Sequence, residues 1–182
     1  AGHGVIISNA YSELKELSEK SQIPVVTTLL GISSFPENHV LSCGFPGMHG
    51  MAYSSLILDQ SDLIIGIGTR FDDRIVGDPK RFAVRSKKIH IDIDASEIGK
   101  TVKIDLPIVG NIKDVLNQIN PKISKNNRSK WLNQVLDLKA DHPSLEIPKS
   151  DHLLGQKVIK TLSDITNGDA IICSGVGQHQ MW

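Results

Sequence analysis

Apolar residues along the chain follow two periods, and the boundaries between them predict most of the elements. Tyr11, Leu14 and Leu17 fall at helical spacing with Glu16 four residues before Lys20. They predict a helix that ends near Ser21, because Pro24 biases Ile23 away from helical geometry. Pro24 to Leu29 is β-branched and reads as a strand leading to Gly31. Residues 32–50, rich in Gly, Pro and Ser, read as a long loop of the kind that is usually functional or mobile. Met51 to Gln60 resumes as a helix. Leu63-Ile64-Ile65-Gly66-Ile67 is apolar, too short for a free-standing helix and closed by Gly68. Such a run fits a strand buried on both faces, as in a parallel sheet.

Further on, a short helix is expected around Pro79 to Val84. Lys88 to Asp94 alternates apolar and polar side chains and predicts a strand, and Ile108-Val109-Gly110 a brief further one. Asn111 is placed to cap a helix whose apolar face is Ile112, Val115, Leu116 and Ile119, closed by Pro121. A basic connection, residues 122–130, leads to a helix from Ser129 to about Ala140. Residues 142–150 hold two prolines and read as a boundary. Leu154, Val158, Leu162 and Ile165 predict another amphipathic helix, and Ala170 to Cys173 a strand running into Gly175 and Gly177. Strands alternating with helices are the signature of a doubly wound, mostly parallel α/β sheet.

Composition narrows the classes. Lysine plus arginine balance aspartate plus glutamate at 20 each, and aromatic residues make up 4%. Neither a polyanion nor a base-stacking surface is favoured, so nucleic acid is not the expected partner. No apolar stretch is long enough to span a bilayer, and no membrane partner is expected. Cys43 and Cys173 match no metal or redox spacing, which suits reduced thiols. The chain opens on a glycine turn, Ala1-Gly2-His3-Gly4, and stops just after another, so a segment of a longer protein is expected.

The candidate chemistry lies at glycine-closed strand ends. Gly66 to Gly68 is followed by Arg70 and Arg74, and Asp92 and Asp94 end a strand about two dozen residues later. In dinucleotide folds a carboxylate in that place accepts hydrogen bonds from ribose hydroxyls, and diphosphate sits over glycines. The full Gly-x-Gly-x-x-Gly spacing fails, because Phe71 stands where the third glycine would be. Arg70 would then supply the phosphate contact. His49, between two glycines, could face a cofactor or cap a helix, whereas His90 reads as a packed or edge histidine. His3, His39, His142 and His152 show no metal-ligand spacing, so no metal site is expected. Ser174-Gly175 lacks the preceding glycine of a nucleophile elbow, which argues against a hydrolase.

Four motifs in one order carry a resemblance. Gly47-Met48-His49-Gly50, the run from Gly68 to Arg74, His90 to Asp94 continued through Glu97-Ile98-Gly99-Lys100, and Gly175 to Trp182 together resemble the catalytic large subunits of acetolactate synthase (acetohydroxyacid synthase), thiamine-diphosphate enzymes. The resemblance covers nearly the whole chain. It implies that residues 1–141 are the central FAD-binding-type α/β domain with its amino-terminal strand truncated. Residues 142–150 would then be a linker, and 151–182 the start of the carboxyl-terminal thiamine-diphosphate-binding domain.

By the same resemblance FAD contacts Gly2, His3, Gly4, Thr28, Leu29, Gly47, Met48, His49, Gly68, Thr69, Arg70, Asp72, Arg74, Asp92, Ile93, Gly110 and Asn111. Met48 and Arg74 also line the pocket of the second substrate, where a guanidinium suits a keto-acid carboxylate. Gln178 and His179 correspond to contacts with the thiamine diphosphate tail. Members vary at His3, and Asn111 replaces an acidic residue common in relatives. The implied reaction condenses two pyruvates, or pyruvate and 2-oxobutanoate, to a 2-aceto-2-hydroxy acid with loss of CO2, in branched-chain amino-acid biosynthesis. FAD there holds structure and does no net redox chemistry. Thiamine diphosphate and Mg2+ serve the full-length enzyme, a homodimer or tetramer with a regulatory small subunit, in bacterial cytoplasm or an organellar stroma or matrix. The thiamine-activating glutamate and the magnesium motif lie outside these residues, so no catalytic residue is expected here and the piece alone is expected to be inactive. Three alternatives stay open: another thiamine-diphosphate carboligase or oxidase, a dehydrogenase-type NAD domain, and a non-catalytic nucleotide-binding α/β domain.

Overall fold

A computed structural model describes residues 1–144 and 146–181. Trp182, the last residue of the fourth motif, lies outside the described residues. The chain divides into two units, Ala1–His142 and a second one beginning at Pro143.

The first unit is built on a three-stranded parallel sheet, β1 (Leu63–Ile67), β2 (Lys87–Asp92) and β3 (Leu106–Val109), in the order β1-β2-β3. The register runs Leu63 opposite Lys87 to Ile67 opposite Ile91, and Ile89 opposite Leu106 to Asp92 opposite Val109. Pro107, which has no N–H to donate, sits in the outer strand β3, where a sheet tolerates it. β1 is covered on both faces, as its unbroken apolar run requires, whereas β3 is largely exposed. On one face Ile67 and Ile91 pack with Leu14 and Leu17 of α2 (Tyr11–Ser21) and with Ile112 and Leu116 of α5 (Ile112–Ile119). On the other face Ile64 packs with Phe71, Val76, Ala83 and Val102. Leu116 is fully buried, and burying one leucine side chain is worth about 1.5–3 kcal/mol. Behind the sheet's far edge Ile57 of α3 (Ala52–Gln60) meets Cys43 and Val135 of α6 (Ser129–Asp141).

Two capping side chains fix local geometry. The Asn111 carboxamide oxygen accepts from the Lys113 backbone N–H, which starts α5 as the sequence predicts. Asn120, buried at the end of α5, donates through its side-chain amide to the Glu13 carbonyl (2.9 Å) and the Glu16 carboxylate (3.2 Å), and its main-chain carbonyl accepts from Lys20 Nζ (2.7 Å). Those bonds lock α5 to α2.

Several expected elements differ. The opening glycine turn is the start of a short helix, α1 (His3–Ile7), with Gly2 as its extended N-cap. Pro24 to Leu29 is extended but makes only an isolated parallel bridge, Val25 to Ser42, and Leu29–Gly31 turns as a 3-10 helix. The helix expected around Pro79 to Val84 is a series of turns. The helix instead forms earlier, as α4 (Asp73–Val76), because the Asp72 side chain caps it by accepting from the Arg74 N–H and Gly77 ends it at φ 62°. Pro121 does close its helix as expected, since α5 ends at Ile119, and it sits in a 3-10 turn, Asn120–Lys122.

The second unit holds α7 (Gly155–Ile165) and a short α8 (Gln178–Met181). Ala170 to Cys173 forms no strand: Ile171 is 96% exposed and pairs with no neighbouring strand. A strand exists only through its ladder, so the apolar run alone does not make one.

Candidate functional site

Three further extended segments continue the sheet beyond β1. The Gly2 N–H donates to the Ile67 carbonyl at 2.9 Å, which seats Ala1–Gly2 beside β1. On its other side the Ala1 amine donates to the Val26 carbonyl (2.7 Å) and the Thr28 N–H donates to the Ala1 carbonyl (2.9 Å). Beyond that, the Val25 N–H donates to Leu41, the Cys43 N–H to Val25 and the Thr27 N–H to Gly44. Across the sheet the segments therefore run 41–44, 25–28, 1–2, β1, β2, β3. Numbered along the chain, this is the 3-2-1-4-5-6 order of dinucleotide-binding folds, whose ligands lie over the carboxyl ends of the strands where the order reverses. Here the reversal falls between Gly2 and β1.

The carboxyl ends gather many of the sequence-predicted residues into one crest. The Gly4 N–H donates to the Gly68 carbonyl (3.2 Å), the Gly68 N–H to Ile91 (2.9 Å), and the Gly110 N–H to the Asp92 carbonyl (2.9 Å). Thr28 joins through Ala1, and the His3 ring Nδ1 lies 3.0 Å from the Leu30 carbonyl. The glycines do not all do what their sequence position implied. A Cβ on Gly4 would stand 2.7 Å from the Gly68 Cα, and Gly68 has φ 58°. These two glycines are required because main chain packs on main chain. Arg70, two residues beyond Gly68, is exposed.

A second group forms on the loop side. The Met48 N–H donates to the Arg74 carbonyl (2.8 Å), and Gly47, at φ 102°, would press a Cβ into that same carbonyl. Met48 is 76% exposed, and His49 and Arg74 are exposed beside it. Among the described residues neither Arg70 nor Arg74 forms an ion pair or a side-chain hydrogen bond within the chain. Both guanidiniums are thus available to an anionic ligand. Gln178 and His179 lie exposed in α8 of the second unit.

Asp92 and Asp94 divide their roles. Asp94 is spent locally: Ser96 donates to it from both Oγ (2.7 Å) and N–H (2.9 Å), and these bonds hold its carboxyl below the usual range. Asp92 is half-buried and accepts from the Asp94 N–H at 2.9 Å through one oxygen. Its other oxygen lies 4.0 Å from Nε2 of His90. His90 is the residue whose role the sequence concealed. It is 0% exposed, its Nε2–H donates to the Thr69 carbonyl at 2.7 Å, and its ring stands edge-on to Phe71 at 5.0 Å. It thereby ties the turn that carries Arg70 to the strand that carries Asp92. The one available signal was that His90 and Asp92 fall on the same face of an alternating strand. Phe71, at φ 52°, packs over Gly66 instead of opening the helix start that a third glycine would give.

Among the described residues no group of three or more His, Cys, Asp or Glu could hold a metal ion, and no helix is long and apolar enough to cross a membrane.

Comparison with known proteins agrees with this architecture. Residues 1–119 match the family described as thiamine pyrophosphate enzyme, central domain. The acetolactate synthase large subunit of Corynebacterium glutamicum is 46% identical over 187 aligned residues, which take in 100% of this chain and 30% of that protein. The acetolactate synthase of Mycobacterium bovis is 41% identical over 100% of the chain and 30% of its own length. The acetolactate synthase large subunit of Lactococcus lactis is likewise 41% identical, over 100% of the chain and 32% of its own length. The chain thus spans about a third of the length of the curated relatives it matches. On the match across the sheet and its crest, the chain belongs to the thiamine pyrophosphate enzyme family, through that family's central domain.

Proposed function

We propose that this chain is the nucleotide-binding core of an acetolactate synthase large subunit, and that its crest holds FAD. The observation that carries the reading is the reversal of strand order between Gly2 and β1, with Arg70 exposed and unpaired in the turn that leaves β1. The residues fit the group. Arg70 and Arg74 offer unpaired guanidiniums to a diphosphate. Asp92, in the next strand, has one oxygen turned from the Asp94 N–H and suits a ribose hydroxyl. Gly2, His3, Gly4, Thr28, Leu29, Gly68, Thr69, Ile93, Gly110 and Asn111 complete the cradle along the crest. Gly47, Met48, His49 and Asp72 stand with Arg74 at one end of it.

In this reading the carboxylate of a 2-keto acid pairs with Arg74 beside Met48. Their nearness is fixed by a main-chain bond, so the pocket keeps its shape when either side chain is exchanged. Thiamine diphosphate, with Mg2+ held elsewhere in the full-length enzyme, supplies the electron sink when bound. Gln178 and His179 are donors to its diphosphate. Residues 1–141 are then the flavin domain, 142–150 a linker and 151–182 the opening of the thiamine-diphosphate domain. The partners are further domains of the same polypeptide, a second large subunit and a regulatory subunit. A cytoplasmic or organellar location follows from that pathway.

A dehydrogenase-type NAD domain is disfavoured by Phe71, which is buried where a glycine would admit the pyrophosphate. Calorimetric titration with FAD and with NADH tests the choice. FAD should bind more tightly, and Arg70→Ala should weaken FAD at least tenfold with an unchanged melting temperature. Equal affinity for both nucleotides, or an Arg70→Ala chain that binds FAD normally, refutes the reading. Incubated with pyruvate, thiamine diphosphate and Mg2+, the chain alone should form no acetolactate above background.

A further inference from the structure

We propose that His90 is a positioning residue that holds the Arg70 turn and the Asp92 carboxylate as one unit, so that the crest recognises a diphosphate and a ribose together and not one by one. The inference rests on the nucleotide reading above and adds what selects the ligand.

Strand alternation puts His90 and Asp92 on one face of β2. In the register with β1, His90 stands opposite Gly66. The Phe71 ring takes the space that a side chain on Gly66 would need, since a Cβ there would stand 2.5 Å from it. The Phe71 and His90 rings then meet edge to face, with centroids 5.0 Å apart. On the other side of Arg70, the Thr69 carbonyl accepts from the His90 Nε2–H at 2.7 Å. His90 therefore touches both sequence neighbours of Arg70, one by a hydrogen bond and one by ring packing. Gly68 and Phe71, at φ 58° and 52°, bend the turn at its two ends. A left-handed phenylalanine persists only where its surroundings hold it, and here His90 is part of that support.

The rest of the imidazole shows what it adds. Among the described residues its Nδ1 is buried without a hydrogen-bond partner. An unpaired buried polar atom is unfavourable, and a leucine would fill the space without it. The advantage of a histidine over an apolar side chain is thus the single Nε2–H. That N–H has two acceptors near it, the Thr69 carbonyl at 2.7 Å and the Asp92 Oδ2 at 4.0 Å. Bonded to Thr69, it leaves Oδ2 open, while the Asp94 N–H holds Oδ1 at 2.9 Å. If the Arg70 turn loosens, the N–H is released to Oδ2, and the phosphate and ribose contacts are lost at once. A diphosphate on Arg70 and a ribose hydroxyl on Oδ2 both favour the arrangement with Thr69 bonded, so each strengthens the other. Diphosphate alone or a nucleoside alone gains only its own contact.

The test is a double-mutant cycle of Arg70→Ala and Asp92→Asn, read by calorimetric binding of ADP to the 182-residue chain. It is run with His90 unchanged, with His90→Leu and with His90→Gln. Glutamine carries an amide N–H as many bonds from Cβ as the histidine Nε2, and leucine keeps the bulk without the donor. With histidine or glutamine, the affinity lost by the double variant should be about fivefold smaller than the product of the two single losses. With leucine it should equal that product. Without ligand, His90→Leu should speed amide exchange about tenfold at Gly68 and Gly4, whose N–H groups donate to the Ile91 and Gly68 carbonyls, and leave Leu116 in α5 unchanged. Coupling that survives His90→Leu while ADP still binds overturns this inference alone, as does unchanged exchange at Gly68 or a glutamine variant that behaves like leucine. A parent chain that binds no ADP overturns the nucleotide reading and this inference with it.

Discussion

In the 182-residue chain taken by itself, acetylating the Ala1 amine should flatten the pH dependence of stability between about pH 5 and 8. The free amine donates to the Val26 carbonyl inside the sheet, and burial lowers its pKa from 8.0 to about 5. Unfolded, the amine binds its proton below pH 8; folded, it does so only below about pH 5. Between those values the unfolded chain holds more protons, so stability falls as the pH falls and levels off below pH 5. Three pH units at about 1.36 kcal/mol each set a ceiling of ~4 kcal/mol. Ala1 as a residue is only half-buried, so the expected loss is nearer ~2 kcal/mol. An acetyl group keeps an N–H for the Val26 carbonyl and cannot be charged. The two chains differ at this one group alone, so the difference between acetylated and free-amine melting temperatures isolates it. That difference should grow by about 5–8 °C from pH 8.5 to pH 5. A difference independent of pH would refute the burial of the amine and with it the strand geometry at Ala1.

Gly68→Ala should destabilise the chain by ~3 kcal/mol in urea unfolding, since it adds a left-handed alanine and a Cβ pressed against the Gly4 backbone. Asn120→Ala should cost ~2 kcal/mol by the same measurement, because the Glu13 carbonyl and the Glu16 carboxylate lose the side-chain amide that joins α2 to α5. Arg85→Ala, on an exposed turn away from the crest, should change neither urea unfolding nor FAD titration beyond ~0.5 kcal/mol.

Elements whose cause is local were legible in the sequence. Leu63–Ile67 and Lys87–Asp92 announce themselves by apolar run and alternation, Ile112–Ile119 by its cap at Asn111, and Tyr11–Ser21 by its period. Elements that depend on something distant were not. His3–Ile7 is one turn and a half, too short to show a period, and is held by bonds from Gly2 and Gly4 to the end of β1. Ala170 to Cys173 has a strand's composition and no partner to pair with. Asp73–Val76 hides in a run of charges, and only the Asp72 side chain turning back to the Arg74 N–H starts it. At the crest, the residue types were readable one by one. Their convergence was not, because it rests on main-chain bonds across some sixty residues, from Gly2 to Ile67 and Gly4 to Gly68. The link from His90 to Thr69 was hidden for the same reason: a histidine among isoleucines looks the same whether it fills space or holds a turn.

The contact of Gly4 with Gly68 constrains how this surface can diversify. Where two backbones touch, no side chain is admitted on either, so the floor of the crest cannot be redesigned without rebuilding the sheet beneath it. If the crest holds the proposed nucleotide, its preference has to be encoded in exposed, unpaired side chains such as Arg70 and Arg74. Those positions can be exchanged almost without structural penalty, and it is there that descendants of this sequence are free to acquire a different specificity.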